Sequence, residues 1–339
     1  MKTQQATYLD FLETPGTQMA IPVFQRVYTW GVWQCEELWE DIMRAGSDQE
    51  SHFIGSIVYT SEDVERGDGV KRMYNIVDGQ QRTTTMMLLM IALRDLLRAS
   101  GKTAGGKGPE DVESEFLYIG EGGDRVSKFI AAPADKDTLA AVLNKTEMPA
   151  DYMVSKCVVD NYAFFEEKLG GVDLDVLWRG LQSLFAIVVE LGGDDNPQLI
   201  FEGINSKGMS LATSDLLRNR MFFGHDDETQ ERLLSTYWEP LEDLFKDDPN
   251  QNHFNAALRR WLVEQDETLA KHSRYELYSV FRKYIDERYE GTTEDLMKEL
   301  LASCDEFSHT LKSPPMKKHL DWAEGHTKID TGSGFALFG

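Results

Sequence analysis

Cysteine is scarce in this 339-residue chain, and the three present, Cys35, Cys157 and Cys304, form no CxxC pair. That spacing excludes a disulfide scaffold and a zinc finger or ribbon, and it suits a reducing compartment. No apolar run approaches the roughly 18–20 residues that span a bilayer. The opening MKTQQATYLD lacks the apolar core of a signal peptide, so the expected location is the cytoplasm, with no membrane partner. Basic residues are short too: 35 Lys and Arg face 58 Asp and Glu, a net charge of −23. Histone-like coating of DNA and polybasic membrane binding are thereby excluded, and any nucleic-acid contact must come from a local basic or aromatic surface. The seven histidines form no HExxH or other paired metal spacing. Neither a P-loop nor a dinucleotide-binding fingerprint occurs.

What is present is the composition of a globular protein, 41% hydrophobic and 11% aromatic. The length favours two folded units. Residues 1–224 mix strand and helix patterns. Val32–Ala45 spaces Trp33, Leu38, Trp39, Ile42 and Met43 as one face of a helix. His52–Thr60 and Met73–Val77 read as a hairpin, and the second strand runs into a helix of about five turns ending near Ser100. The Gly-rich, charged stretch Ala104–Gly123 reads as an exposed excursion. Helices are expected around Asp137–Leu143 and Asp151–Leu169, a buried strand at Ser183–Leu191, and two helices broken at SKGMS within Asn196–Phe223. Residues 225–330 carry only amphipathic helical patterns, and 331–339 is a Gly-rich linker or truncation point. The fold class expected is α/β, followed by a mainly helical domain.

Two places can carry chemistry. Asp78, Gly79, Gln80, Gln81 and Arg82 sit between a strand end and the first turn of a long helix, where unsatisfied N–H groups and the positive helix dipole meet. Arg82 can fork a phosphate, Asp78 can hold a metal ion or an attacking water, and a glutamine can orient that water or a ribose hydroxyl. Equally, Asp78 can simply cap the helix while Arg82 makes a surface ion pair. Within IPVFQRVYTW, the pair Gln25–Arg26 is flanked by Phe24, Tyr28 and Trp30, which offers one guanidinium beside flat apolar faces. The alternative there is an edge strand with a core-facing aromatic set. Downstream, Asp215 and Arg218 have the spacing of an ordinary helix ion pair.

Three blocks in fixed order resemble the N-terminal domain of GmrSD-type modification-dependent restriction proteins, whose relatives include the phosphorothioate-sensing SspE proteins. They are IPVFQRVYTW with WQCEELWEDI, HFIGSIVY leading to YNIVDGQQRTTTMMLLMIAL, and IFEGINSKGMSLATSDLLRNRMF, spanning about residues 21–223. The resemblance implies a ParB-like α/β core that hydrolyses a nucleotide, is stimulated by modified DNA and works with a nuclease domain. Position by position, Gln25 and Arg26 match the family's QR pair, and residues 78–82 match its DGQQR nucleotide motif. His52 and Gly55 match an H-x-x-G step. Asn205, Ser206, Gly208, Asp215 and Asn219 match the third block.

On that basis Asp78, Gln80, Gln81 and Arg82 are expected to be catalytic, with Asp78 the Mg²⁺ ligand. Gly79, Thr83, Asn205 and Lys207 are expected to bind the nucleotide, GTP or another NTP. Phe24, Gln25, Arg26, Tyr28 and Trp30 are expected to sense the DNA modification. Neither His319 nor His326 sits in the family's nuclease signature, so cleavage is expected to need a nuclease domain or subunit, and a second copy of the chain is a further candidate partner. Two alternatives stand beside this expectation: a DNA-binding module with a vestigial pocket, and a ParB-like core that is itself a nuclease.

Overall fold

The computed structural model describes residues 1–64, 69–120, 122–150, 154–192, 195, 200, 212–248, 251–268 and 276–312. The chain divides into two compact units, Met1–Leu211 with Arg218–Asp227, and Ala212–Leu217 with Glu228–Gly339. In chain order the first unit contains β1 (Lys2–Thr7), α1 (Tyr8–Glu13), β2 (Thr17–Ala20), α2 (Val32–Asp48), β3 (His52–Asp63), β4 (Arg72–Asp78) and α3 (Gln80–Ser100). There follow α4 (Pro109–Val112), β5 (Tyr118–Ile119), β6 (Val126–Ser127), β7 (Phe129–Ile130), α5 (Pro133–Asn144), α6 (Lys156–Leu169), α7 (Leu174–Ser183) and β8 (Leu184–Leu191).

Six of these strands form one mixed sheet in the order β1-β8-β3-β4-β2-β7. The expected hairpin is present as the antiparallel pair β3 and β4. β8 lies parallel to β3 and antiparallel to β1, and β2 lies parallel to both β4 and β7. Short β5 and β6 pair separately.

Helix α3 is the centre of the unit. Its run from Thr83 to Leu93 is buried on every face, which its threonines, methionines and leucines allow because none of them presents a charge to the interior. It packs against α6 and α4. Helices α2 and α7 approach more closely than side chains ordinarily permit. A Cβ on Gly46 would overlap the Val176 carbonyl, and one on Gly180 would overlap the Ile42 carbonyl.

The charged, Gly-rich stretch expected to be an exposed excursion is instead packed. Ala104, Val112, Phe116 and Leu117 are buried. A π turn at Glu113–Leu117 brings Glu113 to Arg94 of α3, a guanidinium only 2% exposed. Arg94 donates to Glu113 Oε1 (3.2 Å), Asp95 Oδ1 (2.9 Å) and the Leu143 carbonyl (2.9 Å). Burial works to raise the Glu113 pKa, but Arg98 and Arg125 outweigh it and hold the carboxyl below its usual range. Glu113 is thus held by arginines from outside the stretch, while Lys107 pairs with Glu115 within it.

Beyond Asp227 every described element is helical: Asp227–Leu233, a π turn at Leu234–Trp238, Glu239–Asp243, Asn252–Gln265, Leu277–Arg288 and Thr293–Lys312. In the second unit Trp261 packs against Phe281 and Tyr284, with ring centroids 5.7 and 5.8 Å away. Among the described residues no helix is long and apolar enough to cross a membrane.

Candidate functional site

Strand β4 ends at Asp78, and the chain turns into α3 through Gly79 at φ +96. Glycine suits this turn because the left-handed conformation carries no Cβ penalty there; a Cβ would also sit 3.2 Å from the Ser56 carbonyl oxygen. Gly79 itself is the N-cap, with no side-chain cap, so Asp78 is not acting as a helix cap. Its Oδ2 accepts from Ser56 Oγ at 3.2 Å and lies 3.8 Å from Arg82 Nη2.

The neighbouring strand is shaped to receive Arg82. Pairing of β3 with β8 skips between Phe53 and Ser56, and Gly55 within this bulge has φ +101. The freed carbonyls turn toward Arg82, whose Nη2 donates to Ser56 O at 2.7 Å and whose Nη1 donates to Ile54 O. A Cβ on Gly55 would overlap the guanidinium. That accounts for the glycine of the H-x-x-G step, while its His52 pairs with Asp41 of α2 at 3.1 Å.

The first turn of α3 is tied internally. Thr83, Thr84 and Thr85 donate their hydroxyls back to the carbonyls of Gly79, Gln80 and Gln81 at 2.9–3.0 Å. Thr83 is fully buried and also meets Tyr8 Oη at 2.9 Å. Burial pushes the Tyr8 hydroxyl up to about 12, against the opposing pull of Arg82, so it stays protonated; because Thr83 gives its one hydroxyl proton to Gly79 O, Tyr8 is the donor of this pair.

Residues 21–31 form no strand. Phe24 is buried and stacks on Phe222 with centroids 6.0 Å apart. Tyr28, also buried, places Oη 2.6 Å from Thr85 Oγ1 and accepts from Asn161 Nδ2 at 2.9 Å. Burial drives its pKa upward, and Cys35, 3.7 Å away, is pushed up to about 11 by the same cause. Phe24 and Tyr28, expected to offer flat faces to DNA, therefore face the interior in this structure. Arg26 and Trp30 are half-buried, and Val27 and Thr29 are exposed.

The two sequence motifs meet through glutamine amides. Gln25 Nε2 donates to Val77 O at 3.3 Å, and Gln80 Nε2 donates to Gln25 Oε1 at 3.2 Å. Gln81 Oε1 accepts from the backbone N–H groups of Thr29 (2.8 Å) and Trp30 (3.1 Å), and its Nε2 donates to Val27 O at 3.0 Å. Asp135 and Asn161 complete this attachment, and nothing in the sequence singles them out, since each sits beside other polar residues, Lys136 and Asp137 or Asp160, on an ordinary amphipathic helix. The Tyr28 N–H donates to Asp135 Oδ2 at 2.7 Å, and Asn161 Nδ2 donates to Trp30 O at 2.7 Å. Asn205 and Lys207, with Ser206 and Gly208, lie outside the described residues. Asn219 is buried on the helix Thr213–Phe222.

The family model for the GmrSD restriction endonuclease N-terminal domain matches residues 8–222. The chain belongs to this family. Comparison with curated proteins gives no match. The GmrSD N-terminal domain thus takes in the six-stranded sheet apart from β1, together with the DGQQR turn and the QR segment, and makes this region the N-terminal module of a restriction protein.

Proposed function

We propose that this GmrSD N-terminal domain is a nucleoside triphosphatase that senses modified DNA in the cytoplasm and governs a nuclease domain or subunit. The observation that carries this reading is the convergence of Asp78, Ser56 and Arg82 at a left-handed strand-to-helix turn. The Ile54 and Ser56 carbonyls hold the Arg82 guanidinium beside the Asp78 carboxylate, 3.8 Å away, so a bound phosphate would share its charge with Asp78. One carboxylate with a hydroxyl is a donor set that suits Mg²⁺, because phosphates and water supply the remaining ligands. Asp78 would hold that ion, with GTP the favoured nucleotide, and Asn205 and Lys207 remain proposed nucleotide contacts. Arg26 and Trp30, with Val27 and Thr29 beside them, would meet the duplex, phosphorothioate being the modification proposed. Phe24 and Tyr28 would act from beneath by shaping that segment.

Turnover of GTP, ATP and CTP with Mg²⁺, measured with phosphorothioate-bearing and unmodified duplexes, tests the reading. GTP hydrolysis should rise with the modified duplex, and a folded Asp78→Asn protein should lose it. Arg82→Ala should weaken nucleotide binding by about 1.5–3 kcal/mol. No nucleotide binding by the folded parent would overturn the proposal. It would leave a DNA-binding module, a reading favoured by the internal commitment of the Gln25, Gln80 and Gln81 amides and the Thr83 hydroxyl. The chain alone should not cut DNA; nicking abolished by Asp78→Asn would make the core itself the nuclease.

A further inference from the structure

Residues 27–30 are an irregular segment whose backbone is held by side chains from three helices. The N–H groups of Tyr28, Thr29 and Trp30 go to Asp135 on α5 and Gln81 on α3, and the Trp30 carbonyl goes to Asn161 on α6. Gln81 contributes most, taking two of those N–H groups and giving one hydrogen bond to Val27 O. A second connection runs beside it. Asn161 donates to Tyr28 Oη, Tyr28 meets Thr85 Oγ1, and Thr85 donates to the carbonyl of Gln81. Both routes end on the same residue in the first turn of α3, between Gln80, which reaches Gln25, and Arg82, which reaches the β3 bulge. The outer side of the segment is exposed, with Val27 at 41% and the following Trp33 at 58%.

We propose that Gln81 is a positioning residue that couples the 27–30 segment to the strand-to-helix turn, so that duplex contact and nucleotide occupancy change each other's affinity. This rests on the nucleotide and duplex reading above and specifies its regulation. A Gln81 amide that turned to a nucleotide would leave the Thr29 and Trp30 N–H groups without their acceptor, and a segment displaced by a duplex would pull on the α3 first turn through two hydrogen-bonded routes. The energetic link is reciprocal: whatever factor the duplex imposes on nucleotide affinity, the nucleotide imposes on duplex affinity.

The test measures affinity for a phosphorothioate-bearing duplex with and without a non-hydrolysable GTP analogue and Mg²⁺, and affinity for the analogue with and without the duplex. In the parent the two ratios should agree and reach about 5-fold or more. In Gln81→Met, which keeps the length of the side chain but removes both polar ends, the ratio should fall toward one. Gln81→Glu, which keeps the acceptor for Thr29 and Trp30, should recover part of it. Because the substitution can impair folding, hydrogen exchange on the parent provides a second measurement: the analogue alone should alter exchange at the Thr29 and Trp30 amides. Nucleotide binding with no mutual effect, or coupling that survives in folded Gln81→Met, would overturn this inference alone. No nucleotide binding at all would overturn the functional reading and this one with it.

Discussion

A methyl group at position 55 would occupy the space of the Arg82 guanidinium, and the backbone there holds φ +101. Two costs add in Gly55→Ala, the conformational one and the collision. The substitution should destabilise the protein by about 2–4 kcal/mol, whereas in an Arg82→Ala background the same change should cost only about 1 kcal/mol, the share owed to the backbone. Urea unfolding of the four proteins in the cycle measures this; equal costs in both backgrounds would remove the contact. The sequence shows Gly55 and Arg82 as separate motif members, but their contact depends on a β-bulge, which no periodicity reveals. For Phe24 and Tyr28 the sequence leaves open an exposed and a core-facing arrangement, and the rings take the core-facing one. Polar neighbours in sequence suggest an exposed aromatic face, yet in an irregular segment successive side chains follow no alternation, and both rings turn inward.

Helices α2 and α7 meet at a glycine from each side, so backbone touches backbone where side chains would otherwise intervene. Gly→Ala inside a helix ordinarily stabilises by about 0.5–1 kcal/mol. Gly180→Ala should reverse that sign and destabilise by about 1–3 kcal/mol, since the helices must part to admit the methyl group. A raised melting temperature for this variant would contradict the packing. Among the elements, α2 and α3 are legible because their apolar content is long and sustained, and the β3–β4 hairpin is legible because two β-rich runs flank a polar turn. β1 is not, since KTQQAT is polar and becomes a strand through its pairing with β8. The packed stretch after Ala104 is hidden for a related reason: its charges look solvated until Arg94 is seen to be buried beneath them.

At the scale of the whole molecule, the location of the DGQQR turn was legible because strand and helix patterns abut there, whereas its attachment to residues 27–30 and 54–56 joins parts of the chain that only the sheet brings together. The strand order also sets a schedule. β3 lies between β4 and β8, yet about 120 residues separate its end at Asp63 from the start of β8 at Leu184, and β1 too has β8 as its sheet partner. At 5–20 residues per second, a ribosome leaves β3 waiting for roughly 6–24 s and β1 for roughly 9–35 s. Nascent chains stalled before Leu184 should therefore be cut readily by protease within β1 and β3, and chains stalled after β8 has left the exit tunnel should resist. Early protection would mean that the hairpin and α3 hold together unaided. If the delay is as the sheet implies, the open edge of β3 during synthesis is a natural point of engagement for chaperones, and slow codons before β8 would lower the yield of folded protein.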